Sequence, residues 1–494
     1  MVIRRAAFAL CLLMGCSGIS SKSPEETGTQ ALSVTAGGVI TGSSDYTRAG
    51  WYSDEGLLSP TTVGGGSFAQ TFSTAVSGQV YTQPLISGGT VFVATETNNI
   101  YAIDAVTGAI KASRALGTPF NPSDLACSDL TPSIGISGTP VIDSSTNTAY
   151  FFAKTYVSGS SGPAAWNAHA VDVATLQERT GFPVLIAGSA ANDPTAVFEA
   201  THHQQRPGLL LLNGVVYAAF GAHCDISPYR GWIVGVTTGG QVQTLWSTEA
   251  GTTAASPGAG IWQSGSGLVS DGTGQILFAT ANGLSTLTPA PGNQVPNQLG
   301  EAVVRLTVQA DGTLKAMDYF MGADAAQLNT TDGDLGAGGP VALPDSFGTT
   351  AIAHLLVQVG KEGYVYLLNR DQLGGFEQAA GNADAVVARL GPYGGVWGRP
   401  GVWPGDGGYV YTVANQGSVA VFARALDGSG NPTLSYVGKT SDSFGFGSGS
   451  PIVTSNGTTS GTALMWVVYS PQPDGTNAQL RAYDPVPVGG ILNQ

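Results

Sequence analysis

Residues 80–108 read VYTQPLISGGTVFVATETNNIYAIDAVTG, and this pattern governs what the chain can fold into. Three short strands follow one another: one opened by Pro84, one over 90–95 and one over 100–104. The turns between them are Ser87-Gly88-Gly89, Asn98-Asn99 and residues 104–108. β-Branched and aromatic residues suit the pleat, while Gly, Asn and Asp take the backbone angles of tight turns. A unit like this cannot bury its apolar faces alone. It has to stack on copies of itself, and copies are present. The pattern returns around Pro140, Pro207, Ser266 (where a proline is expected), Pro340, Pro400 and Pro451, at irregular intervals of roughly 50–75 residues.

Several spacers add a fourth strand: IKASRAL, VQTLWST, LKAMDYF and TLSYVGK. Four antiparallel strands make one blade of a β-propeller. The last unit stops at LRAYDP without a fourth strand, and residues 68–76 (FAQTFSTAV) form a strand with no partner of their own. Joining them closes the ring and removes two exposed sheet edges. The expectation is an all-β propeller of four-stranded antiparallel blades closed by an N-terminal strand. Seven blades are favoured, and residues 45–63 leave room for part of an eighth. Charged residues make up only 11% of the chain, against about 25% in ordinary globular proteins, and there are 71 glycines. That mix fits short strands and tight turns rather than surface helices.

The repeat, together with GTPVID, ATANG (279–283) and GKEGYVYLLNRD, resembles the PQQ-like, or quinoprotein alcohol dehydrogenase-like, β-propeller superfamily over roughly residues 46–485. The resemblance implies the fold. It leaves activity open between quinone enzymes and cofactor-free binding scaffolds, among them propeller lipoproteins that scaffold outer-membrane assembly.

In such a blade, the loop leading into the first strand and the loop joining strands two and three share one face. The long loops, 118–137, 154–167, 222–230, 281–299 and 322–339, nearly all fall on this first face. Elaborated loops on a rigid ring are where binding is expected. Around the channel mouth this arrangement gathers Gln83, Thr139, Gln205, Arg206, Trp262, Gln263, Asn282, Asp334, Trp397 and Arg399. They make a pocket for a neutral polar or anionic molecule. The competing reading has Trp262 and Trp397 as packing between blades and the two arginines tying loop carbonyls. Cys127 and Cys224 lie in first-face loops and are expected to form a disulfide, the alternative being two separate thiols. His202-His203 with His223-Cys224-Asp225, and Asp332 with Asp334, are weak metal candidates. No metal is expected.

Quinone enzymes of the family hold PQQ and calcium with a glutamate and an asparagine. They add a catalytic aspartate beyond the asparagine and a vicinal cysteine pair. Asn282 matches the asparagine. No aspartate follows it before the next strand, Asp225 stands near the glutamate position, and there is neither a Cys-Cys pair nor a C-x-x-C-H haem motif. Nor is there a hydrolase signature. The expected function is therefore a non-catalytic binding or scaffold module without cofactor, taking a protein, peptide or glycan at the first face. The alternative is a PQQ- and calcium-dependent alcohol or sugar dehydrogenase.

Residues 1–16 carry Arg4-Arg5, a short apolar run and Leu13-Met14-Gly15-Cys16, which resembles a lipobox. Cys16 is the expected lipidation site, residues 17–45 a flexible tether and residues 46–494 a single domain. The chain is expected to be exported: a cell-envelope lipoprotein at the outer membrane or cell surface, or otherwise periplasmic or secreted. It would touch membrane only through its anchor, and it is expected to be monomeric. Net charge is −14, which repels phosphate backbones and excludes nucleic acid as a partner.

Overall fold

The computed structural model describes residues 38–494, except 255–256, 273, 284–292 and 473. The expected signal, Cys16 and most of the expected tether lie outside the described residues. None of the described helices is long and apolar enough to cross a membrane.

Seven blades surround one axis. Blade 1 is the plain copy: Leu85–Ser87, Thr90–Ala94, Asn99–Asp104 and Ile110–Ala115 in spatial order. Burial grades outward. Thr90–Ala94 is buried throughout, whereas Ile110–Ala115 carries Lys111 and Arg114 on a largely exposed outer strand. This gradient selects which strand faces the axis, because an apolar strand left outside would forfeit its burial. The inner strands of blades 2, 3, 5, 6 and 7 are Val141–Asp143, Leu210–Leu212, Val341–Ala342, Gly401–Trp403 and Ile452–Thr454. In blade 4, where Ser266 replaces the proline, the inner strand shrinks to a bridge between Val269 and Leu277.

Apolar clusters fill the seams between consecutive blades. Phe92 and Phe151 meet between blades 1 and 2 at 5.8 Å between ring centroids. Trp246 and Phe278 meet between blades 3 and 4 at 6.1 Å.

Closure differs from the sequence expectation in its location. The N-terminal strand that joins blade 7 is Trp51–Tyr52, paired parallel with Ile452–Thr454 at the inner edge. Residues 68–76 form no ladder. They cross the seam between blades 7 and 1 with side chains alone. Phe68 packs against Trp466 with ring centroids 5.2 Å apart, and Phe72 and Val76 join the cluster of blade 1. The segment thus covers the edge by packing.

A second correction concerns residues 38–45, expected as the end of a tether. They are ordered in the axis, with Val39, Thr41 and Ser43 buried. From there to residue 52 the chain visits one blade after another. Carbonyls of Val39, Ile40, Tyr46, Thr47, Ala49 and Gly50 accept N–H bonds from Ile86, Ile142, Ser270, Ala342, Val402 and Val453, on blades 1, 2, 4, 5, 6 and 7. Arg48 completes the circuit. Its Nη2 donates to Leu209 O at 2.8 Å and its Nε to Leu268 O at 2.9 Å, on blades 3 and 4. Short inner strands leave their axial N–H groups without a ladder partner, and a buried donor needs an acceptor. The plug supplies one.

Candidate functional site

On the first face, above the plug, lies a cavity of about 300 Å³ lined by Asp129, Arg206, Cys224, Asp225, Tyr229, Trp262, Asp332, Asp334 and Lys361, among others. The loops that carry these residues lead into blades 2, 3, 4 and 5 or join the middle strands of blades 3 and 5. Their meeting over the axis follows from the ring.

One wall is a carboxylate cluster around Asn282. The short helix Ala325–Thr331 ends at Asp332, in the left-handed region (φ 56°), and the chain turns back toward the axis. Three groups from this segment hold the loop at 281–283. Asn329 Oδ1 accepts from Gly283 N at 2.8 Å, Asp334 Oδ1 from Asn282 N at 3.2 Å, and Asp332 Oδ1 from Asn282 Nδ2 at 2.9 Å. Lys361 Nζ sits 2.7 Å from a carboxylate oxygen of both Asp332 and Asp334. Burial works against the Lys361 ammonium, but its bonds to the two aspartates outweigh it and raise the pKa above the usual lysine value. Burial raises Asp334 despite that partner. Glu301 lies behind the pair, and its Oε2 accepts from Leu335 N at 2.6 Å. Burial first, and the neighbouring Asp334 second, push Glu301 up to about 8. Its Oε1 and Asn282 Oδ1 are both buried without a hydrogen-bond partner among the described residues.

The opposite wall is Arg206 over Trp262, with 5.6 Å from the guanidinium carbon to the ring centroid, and Lys361 Nζ lies 5.7 Å from the same ring. Arg206 donates a hydrogen bond to none of the described residues. Burial lowers its pKa, while Asp129, Glu96 and Asp225 counter this through space. Glu96 is fully buried, holds Gly135 N at 2.7 Å, and is pushed up to about 7 by burial.

The predicted ring of site residues therefore divides. Arg206, Trp262 and Asp334 line the cavity, with Asn282 directly behind it. Gln83, Thr139, Gln205, Gln263 and Arg399 serve the scaffold. Gln83 Oε1 accepts from Ser43 N of the plug at 3.0 Å, and Thr139 Oγ1 accepts from Gln83 N at 2.9 Å. Gln205 donates to Pro207 O, and Gln263 Oε1 accepts from Ala279 N at 2.8 Å. Arg399 bonds Ser43 Oγ and the carbonyls of Pro400 and Pro451. Trp397 packs edge-on to Phe446 at 6.0 Å and does not line the cavity. Cys127 and Cys224 form the expected disulfide.

Lys361, Glu301, Glu96 and Tyr229 were missed by sequence reasoning, as was the meeting of Asn282 with aspartates. Those aspartates come from the next loop rather than the same one. The blade order carried the signal: the loop between the middle strands of one blade adjoins the loop leading into the next.

No protein-family model matches the chain, and no curated protein matches it in sequence. Solved structures do match. The quinohemoprotein alcohol dehydrogenase ADHIIG from Pseudomonas putida HK5 is 11% identical, with TM-score 0.60 over 92% of this chain and 71% of that one. A europium-containing methanol dehydrogenase is 12% identical, with TM-score 0.59 over 92% and 84%. BamB from Moraxella catarrhalis is 13% identical, with TM-score 0.39 over 70% of each chain. At these identities the likeness is one of fold alone, a seven-bladed β-propeller.

Proposed function

We propose that the chain is an exported, lipid-anchored propeller that binds a small anionic, ring-bearing ligand in its first-face cavity and performs no chemistry on it. The observation that carries this reading is Arg206. A guanidinium has five donors in a rigid fork suited to carboxylate or phosphate. Here the fork faces a cavity, has an indole beneath it and donates to no described residue. A ligand with an acidic group beside a flat ring satisfies both. The carboxylate end of a peptide, or an acidic sugar, offers the same chemistry. Export and lipidation at Cys16 belong to this proposal and rest on the pattern of residues 1–16.

A second reading has one observation in its favour. Asn282 does meet a carboxylate, and two buried oxygens there, Asn282 Oδ1 and Glu301 Oε1, lack hydrogen-bond partners among the described residues. Oxygen donors of this kind suit a hard cation. The residues fit calcium with PQQ: Asn282, Glu301 and Asp334 as oxygen ligands, Arg206 and Lys361 for quinone carboxylates, and Trp262 as an aromatic wall. The quinone, when bound, supplies two-electron oxidation of an alcohol. In that case Asp332, exposed at the cavity, is the carboxylate available to take a proton.

Tryptophan fluorescence during titration with PQQ, with and without calcium, and with a simple aromatic carboxylate tests both readings. Binding that falls at least about tenfold in Arg206→Ala supports the site. Equal binding by that variant and the parent chain overturns it. If the PQQ-loaded chain reduces no dye across a panel of alcohols and sugars, the dehydrogenase reading fails and the binding reading stands.

A further inference from the structure

Beside the cavity, Cys127, His223 and Cys224 each place a ligand atom within 4.8 Å of the others, the only such group among the described residues. The sulfurs are joined as a disulfide with Cα atoms 6.0 Å apart. His223 Nδ1 lies 3.6 Å from Cys127 Sγ. The backbone N–H of Asp129 points at the same sulfur from 3.5 Å. Cys127 and His223 are 7% and 1% exposed, while Cys224, Asp129 and Asp225 reach the cavity wall. The far nitrogen of His223, Nε2, is buried without a partner among the described residues. A disulfide sulfur can only accept, so in the oxidised state Nδ1–H is the donor across this contact; once thiolates form, the ring proton can sit on Nε2 and leave the Nδ1 lone pair facing the sulfurs.

We propose that this corner has two states: the disulfide, and a zinc site formed when the disulfide is reduced. A dithiol reductant of the thioredoxin class attacks one sulfur and forms a mixed disulfide. Its second thiol then releases the chain as a dithiol, and the reductant leaves as a disulfide. Two electrons enter the chain, and each cysteine sulfur takes a proton. Zn²⁺ entering from the cavity displaces both protons to solvent and is held by two thiolates and one imidazole. This is a donor set zinc favours. A water or the Asp225 carboxylate at the cavity side completes four-coordination. The Asp129 N–H supports the thiolate it faces, as hydrogen bonds beyond the ligands do in metal sites.

The two states share one consequence. The loop carrying Cys127 leads into blade 2, and Cys224 lies between the middle strands of blade 3. Either a covalent bond or a metal ion ties these two walls of the cavity, so the cavity stays enclosed under oxidising and reducing conditions. This holds whatever ligand the cavity takes.

The purified chain, reduced with a phosphine and then freed of it, is titrated with Co²⁺. The expected result is one equivalent bound, with the thiolate charge-transfer and intense visible bands of a tetrahedral site, erased by Zn²⁺ and absent from the oxidised chain. Cys224→Ser should weaken the charge-transfer band, and His223→Gln should weaken Co²⁺ binding about tenfold or more. A reduced chain that keeps its native circular dichroism and shows no cobalt bands overturns the proposal. So does unchanged binding by His223→Gln. If reduction unfolds the chain, added zinc should restore the native signal, and unfolding that is equal with and without zinc overturns it as well.

Discussion

Replacing Arg48 with methionine removes a buried cation that ties the axial plug to the ring. The guanidinium is 0% exposed and still protonated at neutral pH, since burial lowers its pKa only to about 10. It donates to Thr41 Oγ1, Gly42 O and Leu209 O at 2.8 Å, and to Leu268 O at 2.9 Å. Methionine fills much of the space but donates nothing, so three carbonyls lose the donor that Arg48 supplies. A buried polar group left unsatisfied costs about 1–3 kcal/mol. Against that, the folded state no longer desolvates a charge, which returns several kcal/mol. The expected net loss is about 3–5 kcal/mol. Unfolding entropy near 60 °C is about 2.1 cal/mol/K per residue, so the roughly 440 described residues amount to about 0.9 kcal/mol/K. The melting midpoint should then fall by about 3–5 °C in calorimetry. Arg48→Lys should fall nearly as far, because an ammonium cannot reach acceptors on both sides. If Arg48→Met melts within about 1 °C of the parent chain, the plug does not hold blades 3 and 4 through this residue and the reasoning fails.

Gly267→Ala should be destabilised by about 1–3 kcal/mol, seen as a lower denaturant midpoint, because its Cβ would fall 2.3–2.5 Å from the Arg48 guanidinium. Lys361→Met should cost about 3–5 kcal/mol by leaving Asp334 buried and unpaired. Pairing it with Asp334→Asn should recover part of the loss in a double-mutant cycle, whereas full additivity would mean that the ion pair is not coupled. Asp332→Asn, on the exposed partner of the same lysine, should change stability by less than about 1 kcal/mol. Glu301 has a folded-state pKa of about 8, raised above its unfolded value. The protonated acid therefore favours the folded state fully at low pH, and this contribution is lost as pH climbs from about 4.5 toward 8. Glu301→Gln should make stability decline less over that window than in the parent chain, and melting curves of identical slope against pH would contradict the assignment.

Much of the ring was legible because its signals are local. Pro, Gly and Asn turns punctuate each unit, and the β-branched runs between them match a two-residue period over a few positions. The blade count and first-face loops followed, as did the pairing of Cys127 with Cys224. The plug was not legible. Residues 38–45 have the small polar composition of a linker, and only the ring of unpaired N–H groups around the axis explains why they are held. Arg399, Gln83 and Thr139 were expected at an open mouth for the same reason, but the mouth is filled by the chain's own backbone. Residues 68–76 have strand composition yet form no ladder, since side-chain packing of Phe68 and Phe72 already covers the seam.

The sequence by itself determined the repeated unit, the strand count in most blades and the face that carries the long loops. These depend on residues near one another along the chain. The tertiary structure alone decided which polar groups face solvent and which are used internally. It turned Arg399 inward and left Arg206 facing the cavity. It brought Asn282 and Glu301 of blade 4 together with Asp334 and Lys361 of blade 5. The packing of neighbouring blades sets these distances, and contacts between residues 27 to 52 positions apart leave no periodic trace in the chain.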